Sequence, residues 1–185
     1  AILKFNSEVV LMQCNTNYTG SLENMKYVNL NVLKTFQIMY PSVILGLSDH
    51  TPKHATVLGA IALGARVIEK HFTDDTNRRG PDHGFSMDPK DWKEMVDRSR
   101  ELEFALGHGL KRIEGNEQET VVLQRRAIRV KKDLSEGTVL IPEHLEVLRP
   151  CPKDGLPPYI LAEIIGLKLT RFYKKGEHIK WRDLK

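Results

Sequence analysis

The sequence predicts an α/β chain: about three β/α units that form part of a (β/α)8 barrel, followed by a small, mostly β domain. Three observations lead there. Short apolar runs alternate with helix-length segments as far as residue 106. His50 and His71 each close an expected strand, 21 residues apart, with room for one helix between them. Beyond about residue 122, helical periodicity weakens and short β segments alternate with turns;.

The chain starts at Ala1-Ile2-Leu3-Lys4, which reads as the tail of a helix and suggests the C-terminal part of something longer. Val9 to Cys14 is an apolar run ending in a polar loop, as expected of a buried parallel strand;. From Leu22 to Met39 apolar residues recur at helical spacing, with Asn29 interrupting the stripe and Pro41 ending it;. Val43 to Leu47 is the second strand. Thr51-Pro52 carries an N-cap and first-turn proline signature for a helix reaching Leu63;. Ala65 to Phe72 is the third strand. Asp88-Pro89 opens another capped helix, stopped after Leu106 by Gly107 and Gly109;.

Three such units imply parallel pairing with right-handed crossovers. They cannot close a barrel, which needs eight strands and typically about 250 residues. Residues 1–106 are therefore a wedge of a barrel or, less favoured, the edge of a doubly wound sheet. Residues 107–122 are polar and glycine-containing and read as a linker;. Residues 123–185 contain a repeat. Gly137-Thr138-Val139-Leu140 is followed by Leu145, and Gly176-Glu177-His178-Ile179 by Leu184. A basic residue (Lys132, Arg171) lies five positions before each glycine, so two related hairpin-like units are expected.

Bulk properties narrow the function classes. Hydrophobic content of 41% and charged content of 28% are ordinary for a globular protein;. No apolar run reaches membrane-spanning length, and no secretory segment opens the chain;. The net charge is +4, but the basic residues are scattered without an aromatic ladder, which argues against nucleic acid;. Cys14 and Cys151 form neither a CxxC nor a disulfide framework, so a reducing cytoplasm is expected;.

The candidate chemistry lies at the strand ends. Neighbouring strands run roughly 4.8 Å apart, so imidazoles 50 and 71 can reach one metal ion at the C-terminal rim, where barrel active sites sit. Strand alternation puts Val67, Glu69 and His71 on one face and Ile68, Lys70 and Phe72 on the other;. A carboxylate such as Glu69 can fix the metal-binding tautomer of His71. Asp82 lies in the loop after the third strand, on the same rim. Two imidazoles with carboxylate or water ligands suit an open Mn²⁺ or Mg²⁺-like site better than structural zinc. The competing account is a pair of hydrogen-bonded structural histidines. His54, His83, His108, His144 and His178 read as surface residues, His83 least securely because it follows Asp82. Ser48-Asp49-His50 is no hydrolase triad, because three consecutive residues cannot bring their tips together. Arg78-Arg79 and Arg125-Arg126 read as solvated, with an anion clamp as the alternative.

Gly46-Leu47-Ser48-Asp49-His50-Thr51, Glu69-Lys70-His71-Phe72-Thr73, Gly80-Pro81-Asp82 and Ser86-Met87 resemble, in order and spacing, the sialic acid (N-acetylneuraminate and nonulosonate) synthases. The second half is similar to their antifreeze-like (SAF) domain, through Lys132-Asp133-Leu134-Ser135-Glu136-Gly137 and Val147-Leu148-Arg149-Pro150. The resemblance implies the C-terminal portion of a TIM-type (β/α)8 barrel followed by an SAF domain. It implies condensation of phosphoenolpyruvate with N-acetylmannosamine or a related 2-acetamido sugar. Mn²⁺ is then expected on His50 and His71, with Mg²⁺ or Co²⁺ as alternatives, and would polarise the sugar aldehyde. It further implies Asp82 near metal and sugar, Ser48 at the phosphate end and Tyr18 lining the sugar site. Arg149 would reach the N-acetyl group in the barrel of a partner subunit, making a domain-swapped homodimer. The family usually reads Cys-Thr-x-x-Tyr-Pro where this chain has Cys14-Asn15-Thr16-Asn17-Tyr18-Thr19, and Thr16 falls at its phosphate-contacting polar position. The first five β/α units of the family, with their phosphoenolpyruvate-binding lysines, have no counterpart here, so the chain alone is expected to be inactive. The readings set against this one are another metal-dependent barrel aldolase or hydrolase, and a non-catalytic carbohydrate-binding or dimerisation fragment.

Overall fold

Short strands rich in Val, Ile and Leu, each followed by a helix, produce a parallel sheet with its crossovers on one side. The computed structural model describes residues 2–185, and two compact units divide at Gly109 and Leu110. Ala1 lies outside the described residues, and Ile2–Lys4 form a single 3-10 turn. In the first unit β1 (Val10–Cys14), β2 (Ile44–Asp49) and β3 (Val67–Lys70) pair in parallel, in sequence order. The helices are α1 (Val32–Met39), α2 (Ala55–Ala62) and α3 (Pro89–Leu106).

One face of the sheet is packed and the other is open. Leu45, Leu47 and the helix residues Leu33, Val57, Ala60, Ile61 and Met95 form a buried core. On the opposite face Val10, Ile44 and Val67 remain exposed. A parallel sheet is ordinarily covered on both sides, so this open apolar face matches the inward-facing side of a barrel wedge.

Two expected helices are shortened, each for a visible reason. The stripe from Leu22 to Met39 forms a 3-10 segment, Leu22–Tyr27, and only then α1. Between them Asn29 adopts a left-handed φ of 49°. Asn24 is buried and donates to Asn17 Oδ1 and Thr19 Oγ1, tying the 3-10 turn to the loop after β1. The helix expected from Thr51 starts at Ala55, because Thr51 is drawn to Asp49 instead: its N–H and hydroxyl both reach that carboxylate. The expected cap at Asp88 is present. Its Oδ1 accepts the Asp91 N–H at 2.8 Å, and α3 ends at Gly107 with φ 58°.

The second unit contains α4 (Gln118–Gln124), β4 (Ala127–Val130), β5 (Leu145–Leu148) and α5 (Leu161–Ile164). The segment expected as a linker thus carries a 3-10 turn at Gly115–Glu117 and most of α4. Strands β4 and β5 are antiparallel, with Ala127 opposite Leu148. The repeat folds as a pseudo-twofold pair. Gly137 and Gly176 turn with φ of 80° and 85°. The Gly137 N–H donates to the Leu169 carbonyl, and its counterpart Gly176 to that of Val130. At the centre, Leu134 and Tyr173 exchange backbone hydrogen bonds reciprocally. Leu140 and Ile179, each three residues after its glycine, are fully buried in one core. A 3-10 turn follows in both copies, Pro142–His144 and Trp181–Asp183.

The copies differ in polar content. Arg171 lies 3.8 Å over the Tyr173 ring and donates through Nε to Asp183 at 3.0 Å, while the Tyr173 hydroxyl donates to the same oxygen at 2.7 Å. The first copy has Lys132, Leu134 and His144 at these places. Burial pushes the Tyr173 phenol up to about 12, aided by its bond to Asp183. Burial also pushes Asp183 upward, but the Tyr173 and Arg171 hydrogen bonds outweigh it and hold the carboxyl below its ordinary value.

Candidate active site

The two histidines follow directly from register and alternation. Ser48 pairs with Glu69 and Asp49 with Lys70, so one residue further on His50 and His71 emerge side by side. Both belong to the alternation set of the open face, with Gly46, Ser48, Val67 and Glu69. Their ring centroids are 5.1 Å apart and the rings cross at 68°. Two imidazoles bound through nitrogen at about 2.1 Å to one ion put their centroids roughly 4.5–5.5 Å apart.

Each ring has a partner on Nδ1. His50 is 5% exposed, and its Nδ1–H donates to the Asn15 carbonyl at 2.9 Å. That bond fixes the tautomer and leaves the Nε2 lone pair available, as is usual for metal-binding histidines. His71 Nδ1 lies 3.6 Å from Asp82 Oδ2, ion-pair range rather than a hydrogen bond;. The chain at His71 is clamped as well: its carbonyl accepts the Met87 N–H, and the Met87 carbonyl accepts that of Thr73. Among the described residues no cluster of three or more His, Cys, Asp or Glu is arranged to hold a metal. His50 and His71, with Asp82 alongside, are the residues that would hold a divalent ion here.

The remaining expected residues distribute as follows. Glu69 faces Ser48, whose hydroxyl donates to Glu69 Oε2 at 2.6 Å, so the carboxylate beside His71 is Asp82. The Tyr18 ring lies 4.1 Å from that of His50 and 5.7 Å from that of His71. Thr16 is exposed in the loop after β1. Arg149 belongs to the second unit, at the end of β5, where its Nε donates to the Gln124 carbonyl at 2.7 Å. His83, expected at the surface, is half-buried and 2.7 Å from the Thr73 hydroxyl. Arg78 pairs with Asp74, which holds that carboxyl below its usual value. Arg125 and Arg126 line a cleft of about 600 Å³ in the second unit, together with Val122, Cys151 and Tyr159. The cleft lining includes no carboxylate or imidazole.

Sequence reasoning missed two neighbours of the pair. Phe85 is buried, with its ring 5.1 Å from His71 and 6.4 Å from His50. Gly20 packs against it so closely that a Cβ there would lie 2.4 Å from that of Phe85. Asn15 acts through its backbone, which no residue pattern reveals.

Residues 2–111 match the NeuB family and residues 125–185 the SAF domain. The chain belongs to the NeuB family, the sialic acid synthase type. It is 36% identical over 176 residues to the N,N'-diacetyllegionaminic acid synthase of Legionella pneumophila, covering 95% of this chain and 48% of that protein. It is 34% identical over 181 residues to a pseudaminic acid synthase of Campylobacter jejuni, covering 96% and 50%. Among solved structures, an N-acetylneuraminic acid (sialic acid) synthetase from Leptospira borgpetersenii matches with a TM-score of 0.52 and 31% identity, over 60% of this chain and 38% of that one. The chain spans about half the length of the curated relatives it matches. The fold is therefore the C-terminal portion of the barrel, about three β/α units, with the SAF domain. No helix among the described residues is long and apolar enough to cross a membrane.

Proposed function

We propose that this chain supplies the metal-binding rim of a nonulosonate synthase. That enzyme condenses phosphoenolpyruvate with N-acetylmannosamine or a related 2-acetamido sugar. The observation carrying the reading is the pair of crossed imidazoles, 5.1 Å apart, on the open face of a NeuB-family sheet. The names of the Legionella and Campylobacter relatives support a nonulosonate product.

In this reading His50 and His71 hold a divalent ion, Mn²⁺ in the first instance, through nitrogens not engaged by the protein. When bound, the ion supplies Lewis acidity to the aldehyde of the open-chain sugar. The enol carbon of phosphoenolpyruvate forms the new C–C bond at that aldehyde carbon. Water then adds to the former enol centre and phosphate leaves, so sugar, phosphoenolpyruvate and water give the keto acid and inorganic phosphate. Tyr18 and Phe85 wall the sugar against the imidazoles and exclude water from that side. Asp82 accepts a hydrogen bond from a sugar hydroxyl. The Ser48 hydroxyl, whose single proton goes to Glu69 in the free chain, turns to donate at the phosphate end when phosphoenolpyruvate is bound, with Thr16 as a second donor;. Arg149 serves the N-acetyl group across a domain-swapped homodimer, and the enzyme works in the cytoplasm.

Phosphate release from the full-length protein with phosphoenolpyruvate and N-acetylmannosamine or diacetamido analogues tests this. Release that requires Mn²⁺ is expected, with none from the present chain alone. No release with any 2-acetamido sugar would overturn the proposal. Mn²⁺ binding in the micromolar range, lost in His50→Ala and in His71→Ala, is the second check.

A further inference from the structure

Behind the imidazoles, on the packed face, lies a buried ion pair that the chemistry above does not use. Lys70 Nζ is 2.6 Å from Asp49 Oδ2, and the two side chains are 1% and 2% exposed. The same ammonium donates to the Thr51 carbonyl at 2.6 Å. Asp49 is further saturated: Oδ1 accepts the Thr51 N–H at 3.0 Å, and Oδ2 accepts the Thr56 hydroxyl at 2.6 Å. The Thr51 hydroxyl reaches both oxygens, at 2.9 and 3.0 Å.

The position of this network matters more than its strength. Asp49 immediately precedes His50 and Lys70 immediately precedes His71, and the two are register partners on neighbouring strands. The pair therefore bridges β2 and β3 at the last rung before the imidazoles emerge on the other face. Its bond to the Thr51 carbonyl encloses His50 between two anchored residues. Thr56 ties the start of α2 to the same carboxylate. An apolar pair could fill the volume, and such replacements are often neutral or stabilising. It would not hold two strand ends at a fixed separation through directional bonds.

We propose that Asp49 and Lys70 are positioning residues for the metal site. They latch the ends of β2 and β3 so that the His50 and His71 rings stay at bridging distance. This rests on the metal-binding reading above, and the test separates the two.

The test uses the full-length protein and the double variant Asp49→Asn, Lys70→Met, which removes both charges and leaves neither stranded. Mn²⁺ affinity is read by the paramagnetic resonance of free Mn²⁺. The geometry is read without metal, from the nuclear Overhauser effect between the two histidine rings. The double variant is expected to unfold near the wild-type temperature, to bind Mn²⁺ at least about tenfold more weakly, and to lose the inter-ring signal. Wild-type Mn²⁺ affinity with an unchanged inter-ring signal would overturn the latch. Should the double variant fail to fold, Thr56→Val, which deletes one donor to Asp49, takes its place. It should show a smaller loss in the same direction, and no change in either readout counts against the proposal. A wild-type protein that does not bind Mn²⁺ would defeat the metal reading, while the metal-free ring signal would still decide the latch.

Discussion

Replacing Tyr173 with Phe deletes a single oxygen from the centre of the second unit while keeping the ring that fills its core. Two interactions go with that oxygen. The hydroxyl donates to Asp183 at 2.7 Å, and it accepts the Lys180 N–H at 3.3 Å. A hydrogen bond to a charged group contributes about 1.5–3 kcal/mol net. Asp183 keeps Arg171 at 3.0 Å and is slightly exposed, which argues for the lower end. The longer bond adds a few tenths, so the expected loss is about 2 kcal/mol, roughly 30-fold in the unfolding equilibrium. Trp92 and Trp181 are the two tryptophans, one in each unit, so a Trp92→Phe background makes urea-induced fluorescence change report the second unit alone. The sign of the pH dependence is also fixed. Asp183 is lowered in the folded state, so its contribution is full above its unfolded value, about 3.9, and is lost as pH falls through the folded one. Tyr173→Phe weakens that lowering, so variant and parent should differ at pH 7 and converge in acid. Equal stabilities at pH 7, or a gap that persists unchanged at low pH, would refute the assignment.

Gly20→Ala puts a Cβ 2.4 Å from that of Phe85 at a backbone φ of 63°. It should cost about 2 kcal/mol or more in thermal unfolding and weaken the Phe85–His71 ring contact, to be read as a reduced nuclear Overhauser effect between the rings. Gly137→Ala and Gly176→Ala meet open space, so only backbone strain acts at φ of 80° and 85°. Each should cost about 1–2 kcal/mol, and a large inequality between them would mean the copies are not mechanically equivalent. The Asp154 carboxyl, held down to about 2 by Lys180 and then His178, should titrate in NMR near that value. In Lys180→Met it should move up toward about 3.9.

The sequence legibly marked what depends on periodicity and local capping. Strand positions, the Asp88 cap and the glycine-spaced repeat all express short-range rules, and they reappear in the structure at nearly the expected residues. The helix at Thr51 failed because a local cap signature lost to a tertiary partner. Thr51 bonds to Asp49, whose burial beside Lys70 no window of residues around Thr51 could disclose. The stripe from Leu22 broke because Asn24 turned inward to the β1 loop. Within the site, the histidine pair was readable from spacing, whereas the Asn15 carbonyl and the Phe85 wall come from loops that converge only in three dimensions.

Alternation explains how the same two dipeptides, Asp49-His50 and Lys70-His71, can serve the proposed metal site and the fold at once. Successive side chains of a strand point to opposite faces, so the imidazoles take the open side and the charged pair takes the packed side. A one-residue slip of β3 against β2 would turn His71 into the helix layer and Lys70 out of it. Asp49 would then be buried without its ammonium, and removing one member of a buried pair costs about 3–5 kcal/mol. The buried pair thus penalises the register in which the imidazoles could not meet. An apolar substitute would leave the core filled, and the slip would then be opposed only by the burial of His71 and the exposure of Ile68;. Polar burial behind the site is in this respect a geometric device, and its energetic contribution at the correct register is secondary.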